Sequence, residues 1–254
     1  MDIGTENNGG VLTIRIDRPA KKNAITSAMY AAMADALHAA ETDGAVRVVL
    51  IHGAPDVFCA GNDIEDFVAA PPNAEGHAVF RFMHELAHAA KPLVAAVNGV
   101  AVGIGTTMLL HCELVYVADD AKFSVPFTRL GLCPENGSSY LLPMIAGYQR
   151  AAELLLLGEP FGADKARECG FVTQVLPAGA VLEAARTAAA KLASLPAKSI
   201  RTTKALLKRA HLRQIDDHIR AEADAFRPML TEPAAREAFA AFRERRKPDF
   251  SKCA

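Results

Sequence analysis

The chain has 254 residues, 51% of them apolar and 22% charged, with a formal net charge of −1, enough to bury one sizeable core. Charge so nearly balanced excludes a general nucleic-acid or membrane-surface binder, whose affinity rests on surplus Lys and Arg. Five scattered cysteines with no C-x-x-C pair exclude a disulfide-stapled scaffold, and no leader, long apolar run or terminal peroxisomal tripeptide is found, so a cytoplasmic protein with a small partner is expected.

Val11 to Asp17 alternates apolar and polar up to Arg18-Pro19 and reads as a half-buried strand ending in a turn. Thr26 caps a helix running to about Glu41, Gly44 stops it, and the β-branched run Val46 to Ile51 reads as a buried strand. That strand feeds the turn Phe58-Cys59-Ala60-Gly61-Asn62-Asp63. Ala69-Ala70-Pro71-Pro72 breaks the pattern, a helix is expected from about Glu75 to Ala90, and Lys91-Pro92 opens a strand from Leu93 to Val97. This second strand feeds a glycine-rich turn, Asn98-Gly99 through Gly103-Ile104-Gly105. Gly105 to Leu110 reads as a buried helix, Glu113 to Val117 and Phe123 to Val125 as strands, Ser138 to Ala146 and Gln149 to Leu157 as helices, and Phe171 to Val175 as the last strand. From Gly179 to Arg246 the sequence is almost continuously helix-forming, interrupted by Pro196, Pro228 and Pro233. An α/β core over 1–195 followed by a helical region over 196–254 is the expected organisation.

Two glycine-opened turns at strand ends can aim backbone N–H groups at one point, and a carbonyl oxygen gaining negative charge is what such fixed donors stabilise best. A rival motif is His84-Glu85-Leu86-Ala87-His88, which fits the H-E-x-x-H pattern of zinc peptidases. No third ligand follows it, so two partly exposed histidines on an amphipathic helix are the plainer reading and no metal site is expected. Met108 breaks any G-x-G-x-x-G dinucleotide motif, and Ser138-Ser139 lacks the G-x-S-x-G elbow of serine hydrolases.

Arg18-Pro19 with Lys22-Asn23-Ala24-Ile25, the Phe58 turn, Lys91-Pro92 through Asn98-Gly99, Pro126 with Leu130-Gly131, Ala163 to Gly170 and Arg245 to Phe250 follow one another in an order that resembles the crotonase (enoyl-CoA hydratase/isomerase) superfamily. The resemblance implies a ClpP/crotonase-like β-β-α superhelix with a helical C-terminal region. It implies an oxyanion hole formed by the N–H groups of Ala60 and Ile104. It also implies contacts to coenzyme A and the acyl group from Lys22, Ala60, Gly61, Asn62, Asp63, Ile64, Gly103 and Phe127, with Phe67, Phe80 and Met83 as further walls. Family hydratases carry two glutamates at positions where this chain has Thr107 and Phe127, neither of which can shuttle a proton. Gly131-Leu132-Cys133-Pro134-Glu135, by contrast, is similar to the segment that holds the single catalytic Glu of peroxisomal-type Δ3,Δ2-enoyl-CoA isomerases.

The expected activity is therefore a Δ3 to Δ2 double-bond shift in enoyl-CoA thioesters of fatty acid metabolism, with Glu135 as proton shuttle. Enoyl-CoA hydratase, a non-catalytic acyl-CoA binder and, remotely, a zinc metallopeptidase are the alternatives. No cofactor is expected beyond the coenzyme A of the substrate. The resemblance further implies a homotrimer or dimer of trimers, with C-terminal helices packing across the interface.

Overall fold

The computed structural model describes residues 2–69, 72 and 76–253. The chain opens with a hairpin of β1 (Ile3–Asn8) and β2 (Val11–Ile16), turned by Gly9 and Gly10 at φ +59° and +83°. Positive φ at both positions matches the twist of the paired strands and suits glycine. The sequence reading passed over β1 because Thr5 to Asn8 are exposed polar residues without apolar periodicity.

Thr26 caps α1 (Ser27–Thr42), its hydroxyl accepting the Met29 N–H at 3.3 Å. There follow β3 (Val48–His52), β4 (Val57–Cys59), α2 (Ile64–Ala69) and α3 (Ala78–His88). The expected helix start at Glu75 and the break residues Ala70 and Pro71 lie outside the described residues. Next come β5 (Leu93–Val97), β6 (Val100–Val102) and α4 (Ile104–Thr107), which tightens into a 3₁₀ turn over Met108–His111. Then β7 (Leu114–Ala118) and β8 (Lys122–Ser124) lead to α5 (Ser138–Ala146) and α6 (Tyr148–Ala152), the latter running on as a π-helical turn to Leu157.

A short β9 (Phe161–Gly162) and α7 (Ala163–Glu168) precede β10 (Gln174–Leu176). The last strand thus begins three residues later than expected. Phe171 leaves the sheet to pack edge-on against Phe123 and Phe161, with ring centroids 5.9 and 6.3 Å away. Four helices follow: α8 (Val181–Ser194), α9 (Ala197–Lys208), α10 (Leu212–Met229) and α11 (Pro233–Glu244). Pro196 and Pro233 stand at helix starts, where a missing N–H costs nothing, whereas Pro228 sits inside the last turn of α10 and does not interrupt it.

The strands form a six-stranded sheet in the order β1-β2-β3-β5-β7-β10 and a four-stranded sheet in the order β4-β6-β8-β9. Each pass of the chain leaves one strand in the large sheet (β3, β5, β7) and the next in the small one (β4, β6, β8) before entering a helix, which is the β-β-α spiral the resemblance implies. Helix α8 covers β3, β5 and β7, burying Ala185 and Ala189 against them. On the other flank α1 packs on α3, where Tyr30 and Phe82 are fully buried with ring centroids 5.5 Å apart. Because β4, β6 and β8 run parallel, the turns that leave their C-terminal ends gather along one edge. Among the described residues no helix is long and apolar enough to cross a membrane.

Candidate active site

The turn after β6 is made by glycine geometry. Gly103 has φ +55° and ψ −120°, a conformation closed to residues with a Cβ, and it starts α4. The first N–H groups of a helix have no partner inside it. That of Ile104 meets no protein acceptor among the described residues, so it is free to point outward as the resemblance implies. A Cβ on Gly105 would lie 2.7 Å from the Cys59 carbonyl oxygen, so this turn touches the end of β4 backbone to backbone.

The turn after β4 corrects one expectation. The Ala60 N–H donates to the Lys22 carbonyl at 3.1 Å and is already engaged. Three residues after Lys22, Ile25 uses both its backbone groups on the turn, its N–H donating to Gly61 O at 2.8 Å and its carbonyl accepting the Asp63 N–H at 2.9 Å. In such a parallel bridge the intervening residue, Asn62, has its own N–H and C=O on the opposite side. The free amide of this turn is therefore that of Asn62, which meets no protein acceptor among the described residues. Its side chain is held too, since the buried Tyr30 hydroxyl donates to Asn62 Oδ1 at 2.5 Å.

The segment that holds this turn is itself tightly wired. Asn23, fully buried at φ +56°, accepts the Arg18 N–H at 2.7 Å and donates through Nδ2 to the carbonyls of Ile16, Val57 and Phe58, each at 3.1 Å. Arg18 in turn donates to Asp63 Oδ2 at 2.7 Å. Asp63 also accepts the N–H groups of Glu65 and Asp66 at the start of α2. Burial pushes the Asp63 carboxyl upward, but Arg18 and those two N–H groups outweigh it and hold the group below its ordinary value. Asp63 lines the cleft, yet its carboxylate is committed to the fold rather than free for a ligand.

Glu135 is 8% exposed and lies on the loop before α5. Burial raises its pKa from 4.5 to about 8, against the Thr107 hydroxyl, which donates to Oε1 at 2.6 Å, and with the help of the nearby Glu222 carboxylate. Thr107, at the position of a hydratase glutamate, thus serves as a donor to the one carboxylate that faces the cavity from this loop. Phe127, at the other such position, is a buried wall 5% exposed.

Two neighbouring spaces result. An outer cleft of about 480 Å³ is lined by Lys21, Lys22, Ala60, Gly61, Asp63, Ile64, Gly103, Ile104 and Phe127 among others, so most of the expected binding residues do gather there. An inner cavity is lined by Phe80, Met83, Glu135 and Glu222, and Asn62, Phe67 and Phe226 line both it and the cleft. Lys21 and Lys22 are exposed at the mouth. The sequence reading missed Phe226, Phe239 and Phe242, by which α10 and α11 wall the cleft within one chain, and it missed Glu222. A carboxylate on the apolar stripe Ile215, Ile219, Ala223 and Phe226 was the available sign, since such a group needs buried partners.

The H-E-x-x-H residues hold no metal-ready cluster, and among the described residues no group of three or more metal-ligating side chains occurs. His84 stacks on His88 at 4.3 Å, His88 pairs with Asp216 at 2.9 Å, and Glu85 pairs with His38 at 3.1 Å. These are surface and helix-docking contacts.

Comparison with known proteins shows the family of the chain. The family model for enoyl-CoA hydratase/isomerase matches residues 6–253. The 1,2-epoxyphenylacetyl-CoA isomerase of Escherichia coli is 35% identical over 249 residues, covering 95% of each chain. Enoyl-CoA delta isomerase 2 of Rattus norvegicus is 40% identical over 209 residues, 80% of this chain but 53% of that protein, so this chain spans about half of that relative. A crystal structure of an enoyl-CoA hydratase/isomerase from Pseudoalteromonas atlantica superposes with a TM-score of 0.94 at 36% identity, covering 99% of this chain and 100% of the other.

Proposed function

The chain belongs to the enoyl-CoA hydratase/isomerase family, and from that premise we propose that it moves the double bond of an enoyl-CoA thioester from Δ3 to Δ2. The thioester oxygen accepts the free N–H groups of Asn62 and Ile104. As the C2 proton leaves, negative charge builds on that oxygen, and each fixed donor contributes about 3 kcal/mol to its stabilisation. Glu135 takes the proton from C2 and returns it to C4, so one carboxylate on one face serves both steps and no atom is added or lost.

The observation that carries this reading is a carboxyl buried beside the two turns with its pKa raised to about 8, close to what a base working near neutrality needs. Hydration by the two-glutamate route is disfavoured, because Thr107 and Phe127 stand at both positions it needs. Assembly as a homotrimer or dimer of trimers, and activity without an added cofactor, belong to the same proposal and are checked by solution mass and by assay of dialysed protein.

The test is to supply the purified protein with a 3-enoyl-CoA and, separately, with crotonyl-CoA and water. Isomerisation of the first is expected, with Glu135→Gln lowering kcat about 10²- to 10⁴-fold while KM stays within a few-fold. Hydration of crotonyl-CoA without isomerisation, or an undiminished Glu135→Gln variant, overturns the proposal.

A further inference from the structure

Helix α5 begins with an unusual problem. Its N-cap, Gly137, has φ +71° and no side chain with which to accept an N–H at the helix start. Two N–H groups there, those of Gly137 and Ser139, are met instead from a helix more than 80 residues further along the chain. Glu222 of α10 accepts the Gly137 N–H through Oε2 at 2.6 Å and the Ser139 N–H through Oε1 at 2.8 Å. Glu135 is bound to the same helix start, its carbonyl accepting the Ser138 N–H at 3.1 Å and the Ser138 hydroxyl at 2.6 Å. Both carboxylates line the inner cavity.

We propose that Glu222 is a positioning residue for the base: it clamps the loop that carries Glu135 against α10 and sets a second negative charge beside it. The inference rests on the reading of Glu135 as the proton shuttle.

As a stability device alone, this arrangement is a poor choice. A carboxylate 7% exposed carries a desolvation cost that a Ser or Asp at the N-cap, open to water, would avoid. What the long-range clamp adds is geometry. Gly137 suits the left-handed φ of +71°, and a Cβ there would only touch α10 at ordinary contact distance, 3.4 Å from Ile215 and 3.5 Å from Ile219. Ser139 Oγ pairs with His218 Nδ1 at 2.9 Å, one helical turn before Glu222, so the loop is held at two heights of α10. Like charge beside Glu135 favours its protonated form and so makes the ionised form a stronger base.

The other titratable groups facing this pair are Tyr30, Cys59, His111, Cys133 and His218. Burial pushes Tyr30 well up, Cys59 to about 12 and Cys133 to about 11, and pushes His111 down to about 3, so these four do not titrate near neutrality. His218 is checked by its own variant.

Glu222→Gln keeps the shape and one acceptor but removes the charge. The expected result is a plateau kcat for 3-enoyl-CoA isomerisation lowered about 10- to 100-fold with KM within twofold, and the acid limb of kcat/KM moved down by roughly one pH unit. Glu222→Asp keeps the charge but withdraws it by one methylene, so it should lose kcat with a smaller shift of the limb. His218→Gln should leave the limb in place. A folded Glu222→Gln enzyme with wild-type kcat and limb overturns the inference, as does a His218→Gln variant that moves the limb as far. If Glu222→Gln does not fold, wild-type kcat in Glu222→Asp overturns it. Glu135→Gln is assayed alongside: turnover there removes the reading beneath, whereas a dead Glu135→Gln variant beside an unaffected Glu222→Gln variant removes only this inference.

Discussion

The two halves of the site are held by different means. The turns after β4 and β6 are fixed by main chain: Lys22, Gly61 and Asp63 are laddered to neighbouring backbone, Gly103 supplies the positive φ that starts α4, and Gly105 lets the two turns touch. The loop bearing Glu135 is fixed by side chains, from Thr107 on one side and Glu222 on the other. Backbone geometry can be kept or lost but scarcely tuned, whereas side-chain partners can adjust the proton affinity of a base by small steps. The first half should therefore answer to substitution with loss of turnover or fold, and the second with shifts in pH dependence.

The largest effect expected from the backbone half comes from Gly105→Ala. The added Cβ would lie 2.7 Å from the Cys59 carbonyl and 2.9 Å from the Cys59 Cβ, neither of which is the free end of a flexible side chain. The turns must separate, and a displacement approaching 1 Å of one donor is enough to lower kcat about 10²-fold. Steady-state kinetics on a folded variant checks this, and turnover within twofold of wild type would mean that the contact between the turns does not set the donor geometry.

Next in size is Asn23→Ala. It removes a side chain that serves three carbonyls and one N–H in the core, leaving buried groups unpaired at about 1 to 3 kcal/mol each, partly relieved by relaxation. A loss of about 3 kcal/mol in chemical denaturation is expected. A loss below about 1 kcal/mol would show that the 18–25 segment does not depend on this residue to seat the turn beneath it.

That contrast also explains what could be read in the sequence. The glycine turns, the strands feeding them and Glu135 were legible because each rests on local residue order. The choice of amide was not. Ala60 and Asn62 stand two residues apart on one turn, and which of them is free depends on Ile25, a residue far back in the chain that bonds to both neighbours of Asn62. Glu222 was legible only as an acid on an apolar stripe, because its partners, Gly137 and Ser139, are backbone groups more than 80 residues away. Strand β9 was missed for a related reason: at two residues it has no periodicity and exists only through its pairing with β8.

The side-chain half predicts an effect on stability as well. Glu135 binds its proton more tightly in the folded chain, at about 8 against an ordinary 4.5. A carboxyl raised in this way stabilises the fold fully only below the ordinary value. Its contribution falls as pH rises from about 4.5 and is lost through about 8. Glu135→Gln has no such dependence. The variant's melting temperature, compared with wild type, should therefore gain steadily from pH 5 to about pH 8 and level off above it, and a difference that stays constant from pH 5 to pH 9 would mean the carboxyl is not held protonated by burial.

The smallest expected effect is the sharpest test of tuning. Thr107→Val removes the hydroxyl that donates to Glu135 Oε1 at 2.6 Å while keeping its volume. That bond favours the ionised carboxyl, so its loss should raise the pKa above about 8 and move the acid limb of kcat/KM to higher pH. At pH 7 turnover should fall a few-fold, because less of the base is ionised, while the plateau above the limb stays near wild type. Loss of the Glu222 charge acts on the same carboxyl in the opposite sense, so the two variants should displace one limb in opposite directions. Movement of both limbs the same way would assign the limb to a group other than Glu135, and would place the tuning of the site outside the two partners that hold this loop.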